Sequence, residues 1–112
     1  MSTPGIYDCR DYSAEEIIEL MIELYPALEH RGNRRRIYVG ATGDIPERLY
    51  RHNAEDKVIF CAQTAHQNVA AKVEALAHDY GFNIGDVKWG GNGTNSCSIY
   101  VYAYRITRDT IE

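Results

Sequence analysis

The segment Arg36–Asn53 carries the side chains best suited to chemistry: a phenol at Tyr38, a guanidinium at Arg48 and an imidazole at His52, with Gly40 lying between the first two. A guanidinium grips oxyanions through paired N–H donors, an imidazole exchanges protons near neutrality, and a phenol can orient or deprotonate a water. Ile37, Tyr38 and Val39 are β-branched or aromatic, so the segment opens as a strand, which Gly40 is expected to end. Gly43-Asp44 predicts a turn into a short helix, with Asp44 as N-cap, Pro46 in the first turn and Glu47 near the positive helix end. Arg48 and His52 are four residues apart and share a face of that helix, while Leu49 is free to enter a core. A strand bearing a tyrosine, a helix presenting Arg and His, and a glycine allowing close backbone approach make up half of a catalytic cleft. Taken singly, each residue has a plainer reading: a packed strand tyrosine, a surface arginine, and a helix-terminal cation favoured by the dipole.

The surrounding elements have to position these groups. Residues 1–12 form an irregular arm or one short strand around Ile6-Tyr7. Ser13 as N-cap and Glu16 completing a capping box start a helix over about 14–29, with Ile17, Ile18, Met21, Ile22, Tyr25 and Leu28 at helical spacing. Its acidic face, Glu15, Glu16, Glu19 and Glu23, reads as solvated. Gly32-Asn33 predicts a turn. Val58, Ile59, Phe60 and Cys61 centre a strand apolar enough to be covered on both faces. A second long helix runs from about His66 to Tyr80, with Val69, Val73, Leu76 and Tyr80 on one face, Glu74 at the edge of that stripe, and Gly81 as the terminating glycine. Residues 81–96 read as turns, with Val87-Lys88-Trp89 an extended piece. The last strand places Ile99, Val101 and Ala103 on one face and Ser98, Tyr100, Tyr102 and Tyr104 on the other. That tyrosine row is either a packed cross-strand ladder or a base-stacking platform, and the ladder is the commoner use.

A chain of 112 residues fits one domain with a core that needs no staple. Cys9, Cys61 and Cys97 are odd in number and widely spaced, which fits core thiols in a reducing compartment better than disulfides or zinc ligands. The polar N-terminus and the absence of a long apolar run predict a cytoplasmic protein with no membrane segment. A net charge of −4 argues against a nonspecific nucleic-acid coat. Arg31, Arg34, Arg35, Arg36, Arg48 and Arg51 nevertheless cluster around the central segment, a local basic face compatible with one phosphodiester; the plainer reading of RGNRRR is a solvated loop.

Tyr38-Val39-Gly40, seven residues, Arg48, three residues and His52-Asn53, followed by Glu74 four after Ala70 on the next long helix, resembles the second half of the signature of the GIY-YIG nuclease superfamily. The match covers roughly residues 36–80. It implies an α+β fold, a small antiparallel sheet of three or four strands flanked by helices, in one domain over residues 1–112 with the helix at about 14–29 as an addition. It also implies a metal-dependent endonuclease acting on DNA, with Glu74 holding one Mg²⁺ or Mn²⁺, a tyrosine-assisted water and no covalent intermediate. In that scheme Arg48 donates to the phosphoryl oxygens, Tyr38 acts on the water, and His52 relays a proton or binds phosphate. A single carboxylate suffices for Mg²⁺, which keeps most of its waters. The family's Gly-Ile-Tyr strand has no hairpin position before Arg36. Gly5-Ile6-Tyr7 spells it, making the first helix an insertion and Tyr7 the second tyrosine; Ser98-Ile99-Tyr100 is the permuted alternative, giving Tyr100. Arg34, Arg35, Arg36, Arg51 and Lys72 are the expected nucleic-acid contacts, with His66, His78, Asn92 and Asn95 as accessories.

Two other functions compete. The same fold without catalysis could bind a protein or nucleic-acid partner, as the net acidity, the acidic first helix and the displaced Gly-Ile-Tyr suggest. A nucleotide or small-molecule pocket built on Arg48 and the tyrosines is the third.

Overall fold

The computed structural model describes residues 5–84 and 99–111. Ser13 starts the first helix by the expected reciprocal bonds: Glu16 N–H donates to Ser13 Oγ at 3.2 Å and Ser13 N–H to the Glu16 carboxylate at 2.8 Å. That helix, α1, spans Ala14–Leu24 and does not continue to residue 29. Pro26 has no N–H and disfavours a helical residue before it, so the chain breaks at Tyr25 and resumes as a 3₁₀ turn, Pro26–Glu29. A helical turn, α2 (Arg31–Arg34), stands where Gly32-Asn33 suggested a turn.

Strand β1 is Ile6–Asp8, β2 Ile37–Thr42, β3 Val58–Gln63, β4 Asn83–Ile84 and β5 Tyr100–Arg105, with α3 (Ile45–His52) and α4 (Gln67–Tyr80) between them. Their order in the sheet is β1-β3-β5-β2-β4. β5 runs antiparallel to both β3 and β2, whereas β1 is parallel to β3 and β4 to β2. The fold is α+β, as expected, but among the described residues the sheet is five-stranded and mixed, not antiparallel with three or four strands. β1 and β4, of three and two residues, are too short to show alternation in sequence and join the edges by pairing alone.

Helices α1 and α4 cover one face, packing Ile17, Ile18, Met21, Val73 and Ala77 against Val39, Phe60, Val101 and Ala103. Each of the larger buried side chains here, Ile, Met, Val and Phe, contributes about 1.5–3 kcal/mol, enough to hold helices that are not long on their own. Helix α3 covers the other face, packing Ile45 and Leu49 against Tyr38, Cys61, Tyr102 and Tyr104. Asp44 caps α3 by accepting from Glu47 N–H at 3.1 Å, and Asn53 ends it in the left-handed conformation. Gly81, with φ of 103°, ends α4. Gly40 does not end β2, which runs on to Thr42.

Cys9 and Cys61 are buried free thiols. The expectations for Val87, Lys88, Trp89, Asn92, Asn95, Cys97 and Ser98 fall outside the described residues. Among the described residues no helix is long and apolar enough to cross a membrane.

Candidate active site

The α3 side of the sheet holds an aromatic cluster around one imidazole. Tyr38, Tyr102 and Tyr104 project from β2 and β5 toward α3, with Tyr38 opposite Tyr104 and Gly40 opposite Tyr102 in the antiparallel register. His52 reaches down into them from the last turn of α3, its ring centroid 4.8 Å from that of Tyr38 and 5.2 Å from that of Tyr104. His52 Nε2 is 2.9 Å from the Tyr102 hydroxyl, and Nδ1 bonds the carbonyl oxygen of Ile111. A carbonyl can only accept, so Nδ1 carries the hydrogen and Nε2 is the acceptor for Tyr102 O–H. Ile111 N–H in turn donates to the His52 carbonyl at 2.7 Å, so the segment after β5 is strapped onto the end of α3.

Gly40 is the reason Tyr102 fits. A Cβ there would lie 2.6 Å from Tyr102 Cζ and Oη, closer than van der Waals contact allows, so the phenol occupies the space a side chain would fill. This brings the hydroxyl to the middle of β2.

Glu74 approaches from α4 at the edge of the sheet. β4 pairs only with Tyr38 and Val39 among the described residues, which leaves the N–H of Ala41 unpaired in the ladder; it donates to Glu74 Oε2 at 3.3 Å. Burial raises the Glu74 carboxyl above the usual range, against the opposing pull of the Ala41 N–H and of the Arg48 charge. Burial likewise pushes the Tyr102 phenol up; Tyr38, Tyr104 and Glu74 add to the rise and Arg48 works against it. Tyr38, Arg48, Glu74, Tyr102 and Tyr104 therefore share one electrostatic environment. Arg48 is half-buried on α3, and its Nε is buried with no hydrogen-bond partner among the described residues. No ion pair joins it to Glu74 within 4.0 Å among those residues, although its charge acts on the Glu74 carboxyl.

The structure thus groups Tyr38, Arg48, His52 and Glu74, and leaves Tyr7 apart. Tyr7 stacks on Phe60 at 5.5 Å, on the α1 and α4 side of the sheet. β3 and β5 separate its strand from β2, three steps of about 4.8 Å. Tyr100 lies on the correct face beside Thr42, two residues beyond Tyr102 toward the start of α3. β2 lies between β5 and β4 and not beside β1, so the tyrosines adjacent to Tyr38 come from β5, Tyr100 among them, and not from Gly5-Ile6-Tyr7.

The expected nucleic-acid contacts have separate fates. Arg34 is occupied by the carbonyls of Leu28, Tyr80 and Glu29 and lies over the rings of Tyr80 and Phe82, a structural clamp. Arg51 pairs with Glu47 one turn earlier, and Lys72 with Glu15 across α4 and α1 at 3.7 Å. Arg35 and Arg36 are exposed. His66 caps α4 through Nδ1, which accepts from Asn68 N–H.

Sequence reasoning placed Tyr102 and Tyr104 only in the tyrosine row of the last strand, with no part in the site, and did not single out the Ile111 carbonyl. The alternation of β5 put both tyrosines on one face, but only the pairing register sets Tyr102 over Gly40. No family model, curated protein or solved structure matches the chain. Among the described residues no group of three or more His, Cys, Asp or Glu could enclose a metal ion. Glu74 by itself, a hard oxygen donor whose Oε1 takes no hydrogen bond among the described residues, fits a largely hydrated Mg²⁺ and not a soft or fully caged metal.

Proposed function

We propose that the protein is a metal-dependent phosphodiester hydrolase acting on DNA as an endonuclease, with a cleft that resembles the GIY-YIG arrangement in which β5 stands in for the missing first strand. The observation that carries this reading is the buried Nε of Arg48, which has no hydrogen-bond partner among the described residues, on a guanidinium whose charge acts on both Glu74 and Tyr102. A buried N–H donor without an acceptor is costly and calls for an anionic ligand with oxygen acceptors in the right plane.

In this reading Arg48 donates to the non-bridging oxygens of the scissile phosphate and holds it against the β2 edge. Tyr102 O–H already donates to His52 Nε2, so its oxygen keeps lone pairs for an O–H of the attacking water. As that water attacks, its proton passes to the Tyr102 oxygen while the phenolic proton moves to His52 Nε2. The Ile111 carbonyl, bonded to Nδ1–H, stabilises the imidazolium so formed. Tyr38, packed on the imidazole, fixes its plane. Glu74 would hold a Mg²⁺ or Mn²⁺, which would supply charge neutralisation at the phosphoryl and leaving oxygens.

A second reading is favoured by one specific observation: Tyr38 and Tyr102 are only 6% and 2% exposed. A site so closed would suit a catalytically silent module that grips a phosphate of a protein or nucleic-acid partner through Arg48. Supercoiled and branched DNA incubated with Mg²⁺ or Mn²⁺ separates the two. Nicking that falls about a hundredfold or more in Glu74→Gln and Arg48→Ala supports hydrolysis. DNA binding that Arg48→Ala abolishes, without cleavage of any substrate, supports the silent module. Cleavage that persists in Glu74→Gln removes this site from the chemistry.

A further inference from the structure

We propose that the protein carries a second phosphate site, outside the cleft, in the pocket between α2 and the end of α4, and that it seats a phosphate of the same nucleic-acid strand. This inference rests on the DNA-binding reading above and extends it. The pocket has a volume of about 480 Å³ and is lined by Arg31, Arg35, His78, Phe82 and Asn83 together with the glycines that flank them. No carboxylate is among its lining residues.

Arg31 and Arg35 are four residues apart on one helical turn, since Arg35 keeps helical angles (φ −62°, ψ −20°) after α2. They therefore lie on the same face, where like charges repel. Arg31 is anchored by one N–H donor to the Asp79 carbonyl at 2.8 Å, which leaves the rest of its guanidinium for another acceptor. The Arg35 guanidinium forms no hydrogen bond or ion pair among the described residues, while Asn83 Nδ2 holds the Arg35 carbonyl at 2.6 Å and fixes the base of the side chain. His78 Nδ1 is 3.9 Å from the Asp79 carboxylate, which does not itself line the pocket. Two guanidiniums on one helical face beside that imidazole are arranged for an anion with several oxygens, and a phosphate fits that donor fork. Arg34, between them in sequence, is excluded because carbonyls already occupy it.

The pocket lies along the same sheet edge as the cleft. Arg35 precedes Gly40 by five residues, about 17 Å of extended chain, and His78 follows Glu74 by four, about 6 Å of helix. A separation on the order of 10–15 Å places the pocket only a few nucleotides along the strand from the phosphate at Arg48. The pocket would then bind an internal phosphodiester that far from the phosphate at Arg48.

The test measures binding without turnover: fluorescence anisotropy of a duplex oligonucleotide in EDTA over a series of salt concentrations, with circular dichroism as the check on folding. Arg35→Gln/His78→Gln should weaken binding about tenfold and reduce the slope of log K against log[salt] by about 1, and Arg35→Lys should restore part of both. Arg10→Gln, at the opposite edge of the sheet, should leave both unchanged. An oligonucleotide with a terminal phosphate and one without should behave alike; preference for the terminal phosphate, or displacement by inorganic phosphate alone, would assign the pocket to a monoester and overturn the internal diester. If Arg35→Gln/His78→Gln binds with unchanged affinity and slope while Arg48→Ala is weakened, the pocket is refuted and the cleft stands. If the loss follows Arg35 and His78 but not Arg48, the pocket stands and the cleft reading falls. Absence of DNA binding by the unmodified protein refutes both.

Discussion

Gly40→Ala is the sharpest single perturbation of the site. At a strand position with ordinary φ, replacing glycine by alanine stabilises by about 0.4–1 kcal/mol through the unfolded chain. The structure opposes this with a steric term. The new Cβ would meet Tyr102 Cζ and Oη at 2.6 Å and Cε1 at 2.8 Å. That ring cannot swing aside cheaply, being 2% exposed and tied to His52 by its hydroxyl. Overpacking of this kind costs about 1–3 kcal/mol, and breaking the Tyr102–His52 bond adds about 1 kcal/mol. The steric side wins, with a net loss on the order of 2 kcal/mol read as a lowered urea midpoint at constant slope. Tyr102→Leu in the same chain removes the clashing atoms, so the double variant should be more stable than the sum of the single changes by about 1 kcal/mol or more. Any nicking activity should fall in both single variants. Gly40→Ala at or above wild-type stability, or strict additivity with Tyr102→Leu, would refute the packing of Tyr102 over β2.

The remaining predictions concern groups given no part in the proposed chemistry. Arg34→Lys, losing a fork that reaches the Leu28 carbonyl at 2.6 Å and the Tyr80 carbonyl at 2.9 Å, should cost about 2 kcal/mol in urea unfolding and leave the salt dependence of DNA binding unchanged; a stable variant with weakened DNA affinity would reverse its assignment from clamp to contact. Burial pushes the Cys61 thiol up to about 11, above its ordinary 9.0. The folded state thus holds the thiol proton more tightly, so this contribution to stability is complete below pH 9.0 and is lost as the pH rises through about 11. Denaturation midpoints at rising alkaline pH should fall less in Cys61→Ala than in the unmodified protein, and equal falls would count against it.

Much of the local structure was legible because it rests on short-range chemistry. The Ser13 and Glu16 bonds, the Gly81 terminus, the faces of β5 and the shared face of Arg48 and His52 all follow from spacing alone. Pro26 was readable too, yet the apolar spacing of Tyr25 and Leu28 disguised the break it causes. What spacing cannot give is partnership across the sheet. Ile6 and Tyr7 of the Gly5-Ile6-Tyr7 motif lie in a strand, but at the far edge, and the three letters say nothing of the neighbours. The choice of Tyr102 over Tyr100 depends on a register set by which residue faces Gly40. The Arg34 clamp is equally hidden, since its partners are carbonyls some distance away, on the 3₁₀ turn and at the end of α4.

β5 is the last strand in the chain and the middle one in the sheet. Before it is synthesised, the earlier strands amount to two parallel ribbons, of three and two paired residues, that cannot persist alone in water. Translation must therefore carry β2 and β3 out of the ribosome as unmated apolar segments, and the sheet zips in one event when β5 inserts between them. The same strand that closes the sheet delivers Tyr102 to His52, so the fold and that hydrogen bond arise together in one step.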